Sequence, residues 1–115
     1  DATLMPGAAT VELIEQIEAA GPFGQGAPAP RFALPDAKIL HAKQVGSGHL
    51  KVSIGDGLGA RLDAIAFGAF DTELGPALMN HGGARFHLAG RLEINHWNGR
   101  QIPQMRLEDA ARASG

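Results

Sequence analysis

From Arg85 to Asn95 the residues alternate in character. Phe86, Leu88, Gly90, Leu92 and Ile94 fall on one side of an extended backbone, and Arg85, His87, Arg91, Glu93 and Asn95 fall on the other. A period of two marks a half-buried strand. One apolar face demands another layer to cover it. The same period recurs upstream. His49 to Ile54 sets Leu50, Val52 and Ile54 against Lys51 and Ser53, and Ala60 to Phe67 reads as a further strand. Arg31–Leu34 and Ala37–Val45 read as one long strand bent at Pro35. Gln101 to Leu107 follows Asn98-Gly99, a strong signal for a two-residue hairpin. Gly46-Ser47-Gly48 and Gly55-Asp56-Gly57-Leu58-Gly59 supply the other turns.

Two stretches break this period. Thr10 is placed to cap a helix over Val11–Ala20, with Leu13, Ile14 and Ile17 on one face and Glu12 in the first turn, where the helix dipole favours it. Gly21 and Pro22 stop it, and residues 21–30 then form a stiff Gly/Pro linker. Asp71 to His81, with Leu74, Leu78 and Met79, reads as a second short helix ending near Gly82-Gly83. The order is three strands, a helix and two strands. It predicts a mainly β fold: a five-stranded OB-fold Greek-key barrel with a short helix between strands three and four, preceded by an N-terminal helix and a Gly/Pro linker. Closure into a barrel removes the edges that short strands otherwise expose, and Gly90 suits a sharp bend in mid-strand.

The chain is long enough for one such domain: 12 Leu, 7 Ile, 3 Val and 5 Phe among 115 residues make one modest core. With no Cys, disulfides, thiolate metal sites and cysteine catalysis are excluded. No apolar run reaches the roughly 18 residues of a membrane span, and nothing reads as a signal peptide; a cytoplasmic location is the expectation. Net charge is −2, but it is unevenly spread. Residues 1–30 hold Asp1, Glu12, Glu15 and Glu18 and no Lys or Arg, whereas residues 31–106 hold nine basic side chains against six acidic ones. That excess could support a polyanion-binding face, but it is small, and charge alone favours a well-mixed soluble surface.

Several motifs lead nowhere. Gly24-Gln25-Gly26 and Gly55-Asp56-Gly57 loosely fit a dinucleotide fingerprint, yet the first runs into Pro28 and Pro30 and the second into a strand, not a helix. His41, His49, His81, His87 and His96 show no metal-ligand spacing, and the carboxylates sit in no catalytic frame. The nucleic-acid reading has more content. In an OB-fold the face of strands two and three, with the 1–2 and 4–5 loops, forms the binding groove. Those places hold His49, Lys51 and Arg61, then Trp97 and Arg100 around the hairpin. Cations neutralise phosphates and an exposed aromatic gives a base a stacking surface. Trp97 has two readings, a stacking platform or a rim residue packed over the barrel end; Lys51 and Arg61 likewise serve either a groove or a solvated strand.

The block from Glu12 to Phe32, with Pro22-Phe23-Gly24-Gln25-Gly26-Ala27-Pro28-Ala29-Pro30 at its centre, resembles the C-terminal part of bacterial RecJ single-stranded-DNA exonucleases. The stretch Leu88–Arg100, followed by Pro103-Gln104 and the residues to Asp109, adds to the resemblance, which covers about residues 10–110. Ala27 departs from it, because the family commonly has Asn there, so a polar contact is missing or replaced. The resemblance implies a parent enzyme that degrades single-stranded DNA from the 5′ end in recombination and repair, using Mn²⁺ or Mg²⁺ held by Asp and His. The family's Asp-His-His and Gly-Gly-His motifs are absent; His81-Gly82-Gly83 has the wrong order and context. The expectation is therefore a piece with no catalytic residue, metal or cofactor of its own. Residues 1–30 would be the tail of a preceding catalytic half, residues 31–110 the barrel and residues 111–115 a C-terminal tail. A start at Asp1 rather than Met agrees with a longer parent. The partners implied are single-stranded DNA and the parent's catalytic domains, with no membrane. The alternative is a structural or protein-interaction barrel that braces those domains without binding DNA.

Overall fold

The computed structural model describes residues 2–20 and 30–113. Five long strands close on one another. They are β2 (Phe32–Val45), β3 (His49–Gly55), β4 (Arg61–Ala66), β5 (Arg85–Trp97) and β6 (Arg100–Arg112). The order around the sheet is β2-β3-β4-β6-β5, and β5 pairs back onto β2. Only the β4–β6 contact in this ring is parallel; the others are antiparallel. This is the Greek-key closure expected of an OB-fold.

The alternation of each strand decides which side chains enter the barrel. Leu34, Leu50, Val52, Ile54, Phe86, Leu88 and Met105 are fully buried in its core. The connection from β4 to β5 closes one end. A turn of 3-10 helix at Ala69–Asp71 leads into the short helix α2 (Leu74–Met79), whose Leu78 is fully buried in the same core. That helix is shorter than the predicted span of 71–81. The Thr72 hydroxyl donates to the Ala69 carbonyl and accepts from the Leu74 amide, which fixes a turn where a first helical turn would otherwise begin.

Two backbone irregularities shape the cylinder. Pairing of β2 with β5 slips between Leu34 and Ala37, at the predicted bend beside Pro35. There Asp36 takes a φ of 53°, and its amide donates to His87 Nδ1 at 3.0 Å. Pairing of β5 with β6 slips between Ala89 and Gly90, which leaves Glu108 as the extra residue of a bulge. Gly90 lies so close to β6 that a Cβ would meet the Arg106 carbonyl oxygen at 2.3 Å.

β6 runs five residues past the predicted Leu107, to Arg112. Glu108-Asp109-Ala110-Ala111-Arg112 has no apolar alternation, so pattern reading stops before it. Contacts from elsewhere hold it. The Arg112 guanidinium lies over the Phe86 ring at 5.4 Å and donates to the Asn80 carbonyl, and the Ala113 amide donates to the Arg85 carbonyl.

The N-terminal segment lies against the barrel. A two-residue strand β1 (Ala2–Thr3) pairs in parallel with the start of β2, and Leu4 and Ala9 join the core. Helix α1 (Val11–Ala19) begins where Thr10 caps it, the Oγ1 accepting from the Leu13 amide at 3.1 Å. It buries Ile14 and leaves Glu12, Glu15 and Glu18 exposed. The predicted Gly21-Pro22 stop and the Gly/Pro linker up to Ala29 lie outside the described residues. Among the described residues no helix is long and apolar enough to cross a membrane.

Candidate nucleic-acid interface

The side chains that the alternation turns outward from β2, β3, β4, β6 and β5 fall into cross-strand rows. One row is Lys43, Lys51, Ile65, Arg106 and Arg91: Lys43 is opposite Lys51, Lys51 opposite Ile65, Ile65 opposite Arg106, and Arg106 opposite Arg91. The next is His41, Ser53, Asp63, Gln104 and Glu93. A belt with four cations therefore crosses the barrel beside a polar row that carries two carboxylates.

The cations differ in their partners. Arg106 is paired with Glu93 at 3.3 Å, and Glu93 also accepts from Gln104 Nε2 at 2.7 Å. Arg91 and Arg31 both pair with Glu108. Lys43 and Lys51 have no ion pair among the described residues, and both are exposed. Like charges directly opposite one another destabilise a sheet, so these two lysines are an electrostatic cost that a bound anion would remove.

An aromatic side chain flanks the middle of this belt, beside Ile65. Phe67 follows β4 and is 53% exposed. The Arg106 guanidinium lies over its ring, 4.9 Å from the centroid. The His49 ring meets it edge-on at 5.2 Å and 75°. His49 Nδ1 in turn accepts from the Gly68 amide at 2.9 Å, which leaves the proton of the neutral imidazole on Nε2.

The five residues expected from sequence to form the groove do not make one cluster. His49 and Lys51 stand with Phe67 and Arg106. Arg61 is four residues from Ile65 along β4, roughly 13 Å at the rise of a strand, and its Nη2 donates to Ser53 Oγ at 3.0 Å. Trp97 and Arg100 face each other across the β5–β6 tip, six residues beyond Arg106 or roughly 20 Å. Trp97 is 60% exposed and shares the outward parity of the belt. Asn98 and Gly99 reach that tip with φ of 50° and 73°, the left-handed pair of a type I′ turn. Sequence reasoning missed Phe67, Arg106 and Lys43. The signal was present: Phe67 has the parity of Arg61, Asp63 and Ile65, opposite to the buried Leu62, Ala64 and Ala66.

Strand order, the parallel β4–β6 contact and the helix-plugged end make this an OB-fold domain, with an outward face that is cationic and carries exposed aromatics. The family model described as the RecJ OB domain matches residues 1–109, and the chain belongs to that family. It is 36% identical over 110 residues to the single-stranded-DNA-specific exonuclease RecJ of Escherichia coli strain K12, covering 95% of this chain and 18% of that protein. Against the protein of the same name from Bacillus subtilis strain 168 it is 30% identical over 104 residues, covering 89% of this chain and 13% of the relative. A third, from Dickeya dadantii strain 3937, is 35% identical over 100 residues, 86% of this chain and 16% of its own length. The chain thus spans less than a fifth of the relatives it matches.

Proposed function

We propose that this barrel is the single-stranded-DNA-binding module of a RecJ-like 5′→3′ exonuclease acting in recombination and repair. It holds the strand for a catalytic centre carried by other domains of the parent, where Mn²⁺ or Mg²⁺ would do the chemistry. The observation that carries this reading is the row Lys43–Lys51–Ile65–Arg106–Arg91, whose two unneutralised lysines call for an anion. The relatives are named as single-stranded-DNA-specific exonucleases, which suggests the kind of anion, and the exposed rings of Phe67 and Trp97 suit unpaired bases better than a duplex. Holding a substrate in place is a contribution to catalysis in its own right, so the domain has a role without a catalytic residue of its own. His49, Lys51, Arg61, Trp97 and Arg100 are the proposed contacts, joined by Lys43, Phe67 and Arg106.

Fluorescence anisotropy with a labelled oligothymidylate tests this. Affinity should fall as salt rises, with a log–log slope near −0.7 for each phosphate neutralised. A Trp97→Ala, Arg100→Ala double variant should bind more weakly. Salt-independent binding, or wild-type affinity in the double variant, would count against the groove. If the chain binds no oligonucleotide, the bracing role is the better reading.

A further inference from the structure

We infer that the pocket beside Phe67 receives one nucleobase of the bound strand, stacked on the Phe67 ring; this rests on the single-stranded-DNA reading above. The pocket has a volume of about 370 Å³ and is bounded by Phe67, Arg106, Thr72, Leu74, Leu107 and Glu108. That size is within the usual range for a small-ligand site. Its walls are of two kinds. Phe67 and Leu74 are apolar, while the polar groups of Thr72, Glu108 and Arg106 are already engaged, by the Ala69 carbonyl and Leu74 amide, by Arg31 and Arg91, and by Glu93. A nucleobase suits the Phe67 wall through its flat π-face.

The ring is prepared for this use. Phe67 as a residue is about half exposed, and its ring is held by the Arg106 guanidinium and by His49 in an edge contact. Glu93 holds Arg106 in turn, so the guanidinium serves as part of the stacking wall more than as a free charge. Little side-chain entropy is left to lose when a base arrives. Phosphates have their own partners close by. Lys51 is opposite Ile65, two residues from Phe67 and thus about 7 Å along the strand, comparable with the span from a base to its own phosphate. A protein partner fits less well, because a dry interface here would desolvate Lys51, which has no ion pair among the described residues, without repayment. Stacking accepts any base, so the site would grip DNA with little regard to sequence.

The test compares two labelled oligomers of equal length in anisotropy titrations of the chain: oligothymidylate, and an abasic oligomer with the same phosphates and no bases. Phe67→Ala should weaken oligothymidylate binding about 5- to 100-fold, the usual effect of losing one stacked base. It should leave abasic binding and both salt slopes unchanged. Phe67→Leu keeps apolar bulk without a π-face and should behave like Phe67→Ala, whereas Phe67→Trp should keep the affinity. The inference is overturned if Phe67→Ala binds oligothymidylate like the wild type, or if both oligomers weaken equally. Should the wild type bind neither oligomer, the DNA reading itself fails and this site falls with it.

Discussion

At the scale of single residues, the strongest feature is that Lys51 faces Lys43 with no carboxylate pairing either among the described residues, while Arg106 and Arg91 each have one. The four cations of the belt should therefore not be equal. Lys51→Ala is expected to reduce the salt slope of oligonucleotide binding by about 0.7, one phosphate's share on a single strand. Arg106→Ala should change the slope less and the affinity more, because its guanidinium is already paired with Glu93 and lies on Phe67. Titrations at four or five salt concentrations separate the two effects. Gly90 makes a different residue-scale prediction. Gly90→Ala puts a methyl group against the Arg106 carbonyl, and overpacking of this kind typically costs about 1–3 kcal/mol. Chemical denaturation should show the lost stability, with weaker DNA binding if β6 shifts Arg106.

At the scale of elements, strands whose apolar residues alternate were legible and those held by distant contacts were not. The pattern Leu50-Lys51-Val52-Ser53-Ile54 contains β3 and its outward lysine, and Asn98-Gly99 contains the hairpin tip. Thr10 contains the start of α1, and its capping bond is present. Thr10→Ala should lower stability by about 1 kcal/mol, the usual value of such a cap, as read from a denaturant melt. The end of β6 was illegible because Arg112 is fixed by Phe86 and Asn80, which are distant in sequence. β1 was illegible because two residues carry no period. The site was half legible for a related reason. Parity along a strand tells which side chains leave the barrel, and it gave Lys51. Which outward residues become neighbours depends on register between strands, and only the register brings Arg106 of β6 to Ile65 of β4 and leaves Trp97 at the far tip.

At the scale of the molecule, closure makes the face. β5 pairing onto β2 leaves the barrel no open edge between them, and α2 seals one end with Leu78. Leu78→Ala should open a cavity in that seal and cost about 2–5 kcal/mol, measurable as a lower denaturation midpoint. Charge is divided on the same scale. The net −2 conceals a basic belt, because part of the acid stands on the exposed side of α1 as Glu12, Glu15 and Glu18. That helix should repel a nucleic acid that the belt attracts. Mapping amide chemical shifts in the 115-residue chain during titration with oligothymidylate therefore tests the proposed face most directly. The shifts should concentrate in residues 49–55, 61–68 and 104–108 and extend to residues 97–100 at the β5–β6 tip, with α1 unmoved. Shifts centred on α1, or none at saturating oligonucleotide, would contradict a DNA-gripping role for this side of the barrel.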